Sequence, residues 1–376
     1  MSETTPDHDA TGESTSFLTI LSAVALAPLG LVLLLAGVTS IGLGRLALTS
    51  WGWLWSIESI ALGVGLLAWS SRSARVTTLR RGSAIALVLL ALIRVVFFGG
   101  TEEASIVVLD HEGHTVGSSR WIDRLFEERD ASMVGSRLLT LVGAVPSREF
   151  PALPALLERS YPQTEADAPR LGTPIPATLL DLQRADAFDT IVVEPRGATS
   201  DVGVVFLHGF AGSFALQCLE VAHVAREGGA RTVCPATSFV GAWWQGDGEA
   251  IVRGSIAHLR SRGARRIVLV GLSNGGIGAS RLAPRLRGEI DALVLLSGVA
   301  PSAPTPRVPT LVVQGDHDTM VPTRAVRAWA RGRSNVRYVE LAGTHFVLLE
   351  RREEIDAVLS EALERETERA SRSSRR

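Results

Sequence analysis

Hydrophobic and polar positions divide the chain into three parts. Residues 17–39 (FLTILSAVALAPLGLVLLLAGVT) form an uncharged apolar run long enough to cross a hydrocarbon core of about 30 Å. A second run, 51–69, has Trp51 and Trp69 at its ends like interfacial anchors, and a third covers 83–98. The pattern predicts a membrane segment over 17–100 with three transmembrane helices. Residues 1–16 carry four acids and no Arg, which suits a disordered tail and not the basic start of a secretory signal. Arg72, Arg75, Arg80 and Arg81 lie between the second and third runs, whereas Arg45 alone lies between the first two. The Arg-rich loop then faces the cytoplasm, which puts everything after Gly100 on the extracytoplasmic side of a multi-pass protein. Glu58 and Arg94 fall inside the second and third runs, where a charge is expected to pair or to snorkel.

Residues 101–187 are mixed and read as a linker or cover region. A hairpin is expected over 105–109 and 114–117, helices over 120–128, 136–142 and 153–159, and a Pro-rich connector over 162–176. His111, Glu112 and His114 sit at the hairpin turn, which suits polar residues, and no metal site is read from them.

From 188 to 364 the pattern becomes regular. Apolar β-rich runs at 191–193, 202–207, 231–234, 267–270, 292–296, 310–313 and 336–341 alternate with helix-period stretches at 214–227, 248–262, 275–286, 324–331 and 347–364. Strands this apolar are buried on both faces, so the expected fold class is α/β, a mostly parallel sheet with helices on each side. Ligands of such sheets bind beyond the strands' carboxyl ends. Residues 365–376 form an Arg-rich tail.

Composition sharpens this division. Mean hydropathy is +0.22 and net charge −1, yet the first 100 residues hold only 11 of the 77 charged side chains, so the apolar excess is local. Near-neutral charge argues against nucleic acid as a partner. Every one of the 38 basic residues is Arg, which excludes Schiff-base and pyridoxal chemistry on a lysine. The two cysteines, Cys218 in a helical stretch and Cys234 at a strand end, are expected to be separate buried thiols, a bridge between them being the alternative in an oxidising compartment.

The chemistry is carried by residues that each follow a strand. Gly271-Leu272-Ser273-Asn274-Gly275-Gly276 lies between the strand IVLV and a helix, a turn sharp enough to strain the central residue and raise its hydroxyl above the sheet. His345, after the last strand, is placed to act as base towards Ser273. Asp318, in Gly315-Asp316-His317-Asp318 after the preceding strand, is placed to orient that imidazole; Asp316 is expected to cap the turn. His208-Gly209-Phe210-Ala211-Gly212 follows the strand GVVFL, and the backbone N–H groups of Phe210 (or, less well placed, Ala211) and Asn274 are assigned to the oxyanion hole. Trp243 and Trp244, in a loop on the same side, are candidate substrate-binding residues for an acyl pocket or a bilayer contact, or else pack within that loop.

With these motifs in the order Ser273, Asp318, His345, residues 189–364 resemble an α/β-hydrolase-fold serine hydrolase. The resemblance implies an acyl-enzyme on Ser273, a structural role for His208 in the HG motif, and no metal or organic cofactor. The expected activity is hydrolysis of a small-molecule or lipid carboxylic ester by a membrane-anchored enzyme. Lipase, thioesterase, peptidase or acyltransferase chemistry would use the same triad, and a membrane scaffold with a merely hydrolase-like binding domain is the non-enzymatic alternative. The usual place for a lid in this fold, residues 298–309, is short and Pro-rich. The site is therefore open, or covered from the N-terminal side by 104–187.

Overall fold

A computed structural model describes residues 10–44, 47–69, 71, 73–143, 146 and 153–374. Residues 1–9 of the acidic tail, Arg45 and Arg72 of the loops, and residues 375–376 of the C-terminal tail lie outside the described residues. The chain divides into two compact units, Met1–Ile93 and Arg94–Arg376.

The first unit contains α1 (Ala10–Gly44), α2 (Ser50–Leu67) and most of α3 (Ala74–Phe97). Thr49 caps α2, its Oγ1 accepting the Gly52 N–H at 3.1 Å. Glycines let α1 and α2 approach: a Cβ on Gly37 would lie 2.6 Å from the Ser56 carbonyl oxygen, and one on Gly63 2.7 Å from that of Gly30. Among the described residues one helical stretch, Val24–Gly44, is long and apolar enough to cross a membrane. This corrects the expectation of three spans. Three tryptophans and Glu58 lower the hydropathy of α2, and Arg75, Arg80, Arg81 and Arg94 all fall within α3. The last point also removes the basis of the multi-pass topology, because arginines read as a loop are helical.

The second unit begins at the end of α3. Arg94, expected to pair with Glu58 or to snorkel, is held inside this unit: Nε donates to the Arg124 carbonyl, Nη2 to the Phe126 carbonyl and Nη1 to Glu127, each at 3.0 Å. Next come β1 (Ala104–Leu109) and β2 (Thr115–Ser118), paired antiparallel. In the turn between them Asp110 Oδ1 accepts the backbone N–H groups of Glu112 and His114, both at 2.9 Å, so the acidic and histidine residues there build the hairpin. A 3₁₀ turn at Trp121–Arg124 precedes α4 (Glu128–Leu141), α5 (Leu153–Asp167) and α6 (Ile175–Leu179). Two expected breaks are absent. The stretch 136–142 is the end of a longer α4, and α5 runs through Pro162, since burial of Leu153, Leu156, Leu157 and Tyr161 offsets a proline penalty of about 3 kcal/mol.

The remainder alternates: β3 (Phe188–Val193), β4 (Val202–Leu207), α7 (Ala215–Glu227), β5 (Arg231–Pro235), α8 (Gly248–Ser261), β6 (Arg266–Leu272), α9 (Asn274–Leu282), β7 (Ala292–Leu296), β8 (Thr310–Gly315), α10 (Thr323–Ala330), β9 (Val336–Leu341), α11 (Val347–Glu350) and α12 (Arg352–Ser374). All nine strands form one sheet, ordered β2-β1-β3-β5-β4-β6-β7-β8-β9. From β5 to β9 every neighbouring pair is parallel, whereas β3 is antiparallel to both its neighbours. This is the α/β-hydrolase arrangement with one extra edge strand. Segment 101–187 thus supplies two strands of the sheet as well as the three helices before β3.

Alternate residues of each central strand enter opposite cores. In β6, Val268, Val270 and Leu272 join Phe206, Cys218 and Leu359 on one face, while Ile267 and Leu269 join Leu207, Ile251 and Trp329 on the other. Cys218 of α7 and Cys234 of β5 form a disulfide across a Cα separation of 6.0 Å, which corrects the expectation of separate thiols. The reason is packing: α7 lies directly on β5, so the two buried residues face each other. A bridge closing a loop of 16 residues should add about 3 kcal/mol of stability. The urea midpoint should fall on addition of dithiothreitol, and an unchanged midpoint with two titratable thiols in the unreduced, denatured protein would refute the bridge.

Candidate active site

The floor of the site is the turn from β6 into α9. Ser273 has φ +55° and ψ −118°, a region non-glycine residues avoid. Its neighbours have no room for side chains: a Cβ on Gly275 would lie 2.0 Å from the Leu207 carbonyl oxygen, and one on Gly298 2.1 Å from that of Ser273. Backbone from β4, β6 and β7 therefore meets at the serine, and the strained turn is held by packing on every side.

Loops after β8 and β9 bring Asp318 and His345 to this serine. The imidazole Nδ1 donates to Asp318 Oδ2 at 2.8 Å, which leaves Nε2 to accept the Ser273 hydroxyl at 2.9 Å. Asp318 is fixed on both oxygens: Oδ1 accepts the N–H groups of Met320 and Val321 at 2.9 and 2.8 Å, and Oδ2 also accepts Gln314 Nε2 at 2.7 Å. Its side chain is fully buried. Asp316 points elsewhere, accepting the Gly343 N–H at 2.9 Å and His317 Nδ1 at 2.6 Å, and these bonds hold its carboxyl below its ordinary range. Such a relay can deprotonate the serine hydroxyl as it attacks a carbonyl carbon and return the proton to a leaving group.

The HG loop after β4 lies over the serine, with Gly209 so near that a Cβ there would be 3.0 Å from Ser273 Cβ. The Ala211 N–H is bound to the Phe239 carbonyl at 2.8 Å. Among the described residues no hydrogen bond occupies the N–H of Phe210 or of Asn274, at the start of α9, so these two donors are available to a developing oxyanion. His208 is fully buried and burial pushes its pKa down to about 4. It is a neutral strut: Nδ1 donates to the Gly209 carbonyl at 2.7 Å and Nε2 accepts the Thr237 N–H at 3.1 Å.

The two tryptophans do not join the site. Trp243 is fully buried, its Nε1 donating to the His208 carbonyl at 2.9 Å and its ring edge-on to the His208 imidazole. It supports the HG loop from behind, and Gly278 of α9 packs against its Cβ. Trp244 lies under the Arg281 guanidinium, 4.4 Å from the ring centre. Neither lines the cavity that opens above Ser273 and His345.

That cavity, of about 330 Å³, is walled mainly by apolar side chains. Phe210, Phe214, Phe239, Met320, Phe346 and Leu349 come from the loops and helices of the core, and Leu139, Leu153, Leu157, Ile175 and Leu179 from α4, α5 and α6. Segment 101–187 thus covers the site from the N-terminal side.

Glu128 ties this cover to the core. Its carboxylate lies at the N-terminus of α7, accepting the N–H groups of Ala215 and Leu216 at 2.5 and 2.8 Å, the Thr173 hydroxyl at 3.1 Å and the Tyr161 hydroxyl at 3.3 Å. Its oxygens satisfy N–H groups that Phe214, at the cap position, cannot. Sequence reasoning missed Glu128, because the partners that define its role lie up to 88 residues away. Gln314, which positions Asp318, did leave a signal: it is the polar side chain of the otherwise apolar strand run TLVVQ.

The sequence matches no protein-family model and no curated protein. Among solved structures it is similar to an α/β serine hydrolase without a lid from Xanthomonas campestris, at 20% identity and a TM-score of 0.43 over 49% of this chain and 92% of that one. It is also similar to Est1E from Butyrivibrio proteoclasticus, at 19% identity and 0.39 over 48% and 94%. An esterase from Pyrococcus furiosus gives 16% and 0.41 over 48% and 87%.

Burial pushes the Glu128 pKa from its ordinary 4.5 up to about 7. Between those values the unfolded chain has released the proton that the folded chain keeps, so this group's contribution to stability is lost as pH rises through the window. Glu128→Gln removes the titration. The stability difference between wild type and variant should shift against the wild type by on the order of 3 kcal/mol from low to high pH across the window, as read by urea denaturation. A difference independent of pH would contradict this account of the group.

Proposed function

We propose that the protein is a membrane-anchored serine hydrolase that cleaves a carboxylic ester through an acyl-enzyme on Ser273. The observation that carries this reading is the unbroken hydrogen-bonded chain Ser273–His345–Asp318 opening into an apolar cavity. Ser273 Oγ attacks the carbonyl carbon as His345 Nε2 takes its proton, and the Phe210 and Asn274 N–H groups receive the oxyanion. Collapse expels the alcohol, protonated by His345. Water, activated by the same imidazole, then releases the acid.

The apolar walls favour an acyl chain as the group bound beside the serine, and so favour lipid-like esters among the chemistries one triad can serve. A non-catalytic scaffold would have no use for an aspartate held by four donors. The anchor in this reading is Val24–Gly44. The Cys218–Cys234 bridge supports an oxidising, extracytoplasmic location for the catalytic unit.

A series of p-nitrophenyl esters tests the reading. Each methylene buried in the cavity is worth about 0.8 kcal/mol, so kcat/KM should rise about fourfold per added carbon until the cavity is filled, and then fall. Ser273→Ala should lower kcat by about 10⁶ and Asp318→Asn by about 10⁴. Hydrolysis that survives Ser273→Ala would refute the assignment.

A further inference from the structure

Exposed large apolar side chains in the second unit fall into two sets among the described residues: Val96, Phe97, Val116, Trp121 and Phe126, which do not line the cavity, and a set at its mouth. Among the described residues from Thr190 onward, Val240 alone is a large hydrophobic residue left exposed, although this stretch builds most of the sheet. The cover, in contrast, presents Leu138, Leu141, Val142, Leu179, Leu180 and Leu182 to solvent, with Leu141 77% and Val142 68% exposed. Leu138 and Leu179 also line the cavity, so the exposed patch is continuous with the cavity wall. Leu141 follows Leu138 by three positions on α4 and shares its face. Val240 belongs to the same mouth, because it follows the cavity residue Phe239 and its carbonyl accepts the Asn274 side-chain amide at 2.7 Å.

A contiguous apolar patch of this kind, continuous with the wall of a cavity, marks an interaction site. We propose that its partner is a lipid bilayer, into whose surface the aliphatic tips insert, so that substrate passes from the acyl region into the cavity without crossing water. The proposal rests on the reading of Val24–Gly44 as an anchor and, for substrate uptake, on the hydrolase reading. Two observations select a bilayer over a protein. The rim borders the cavity through Leu138 and Leu179, so a protein seated there would obstruct it, whereas a lipid phase supplies what apolar walls accept. Polar residues also interrupt the rim: Asp181 lies between Leu180 and Leu182, and Arg184 and Asp186, 71% and 80% exposed, lie just beyond. Charges at that spacing keep the docking shallow, at the depth of the headgroups.

The test uses the full chain in phosphatidylcholine vesicles, with a fluorophore on Leu141→Cys or, as control, on Ser334→Cys, which precedes β9 at the opposite end of the sheet from the catalytic loops. Both are made on the Ser273→Ala background, and the bridged Cys218 and Cys234 do not label. Spin-labelled lipid should quench the probe at position 141 and leave that at 334 unquenched; equal quenching at both overturns the proposal. Separately, Leu141→Asp, Val142→Asp and Leu180→Asp combined in active protein should leave p-nitrophenyl acetate hydrolysis within about twofold. Hydrolysis of a long-chain ester dissolved in the vesicle should fall about tenfold or more. Equal effects on both esters overturn the proposal, as does absence of lipid quenching with conversion of a detergent-solubilised dimer to monomer, which would make the occupant a second copy. Quenching at 141 in a protein whose wild type hydrolyses neither ester upholds the docking and removes the hydrolase reading.

Discussion

The positive-φ backbone at Ser273 is the constraint on which the rest of the candidate site depends. An L-residue held in that region stores strain of about 1–3 kcal/mol and persists only where its surroundings leave no alternative. Here the surroundings are backbone. Gly271, Gly275, Gly276 and Gly298 allow β4, β6 and β7 to close on the turn at distances no side chain would permit. The parallel order of those strands is what delivers their carboxyl ends, and the loops that follow them, to one point. Asp318 and His345 arrive from the next two strands along the sheet, already ordered by Gln314 and by backbone donors.

What the core lacks is a lid of its own, and the chain supplies one from the segment before β3. That segment is attached twice. β1 joins the sheet through β3, and Glu128 reaches across to cap α7, just beyond the HG loop that carries Phe210. A single buried carboxyl group thereby links the wall of the cavity to the helix that follows the HG loop. Its hydroxyl partner Tyr161 lines the same cavity, as does Ser132, hydrogen-bonded to Tyr161 at 2.5 Å.

The parts of the fold that repeat were legible in the sequence, and those defined by distant partners were not. Runs such as IVLV and TLVV are apolar on both faces, and burial between two helical layers is the physical reason, so every central strand stood where its run predicted. The relay was legible because each member follows such a strand. The direction of the tryptophans was not legible, because position on the active-site side of a sheet says nothing about it; Trp243 turns inward to His208. The pairing of the cysteines, open in the sequence, was not decided by it because two residues in different elements carry no mark of facing each other. Hydropathy alone overstated the membrane segment, since apolar runs that end in arginines or hold several tryptophans still form helices without the composition of a span.

The account's central claim is that Ser273 is a nucleophile raised by strain and activated by His345. Mass spectrometry of the protein after reaction with an alkyl fluorophosphonate addresses it directly. One adduct per chain is expected, on the peptide containing Ser273, with none formed by Ser273→Ala and a much slower one by His345→Ala. Modification of another residue, or none in folded protein, would contradict the account.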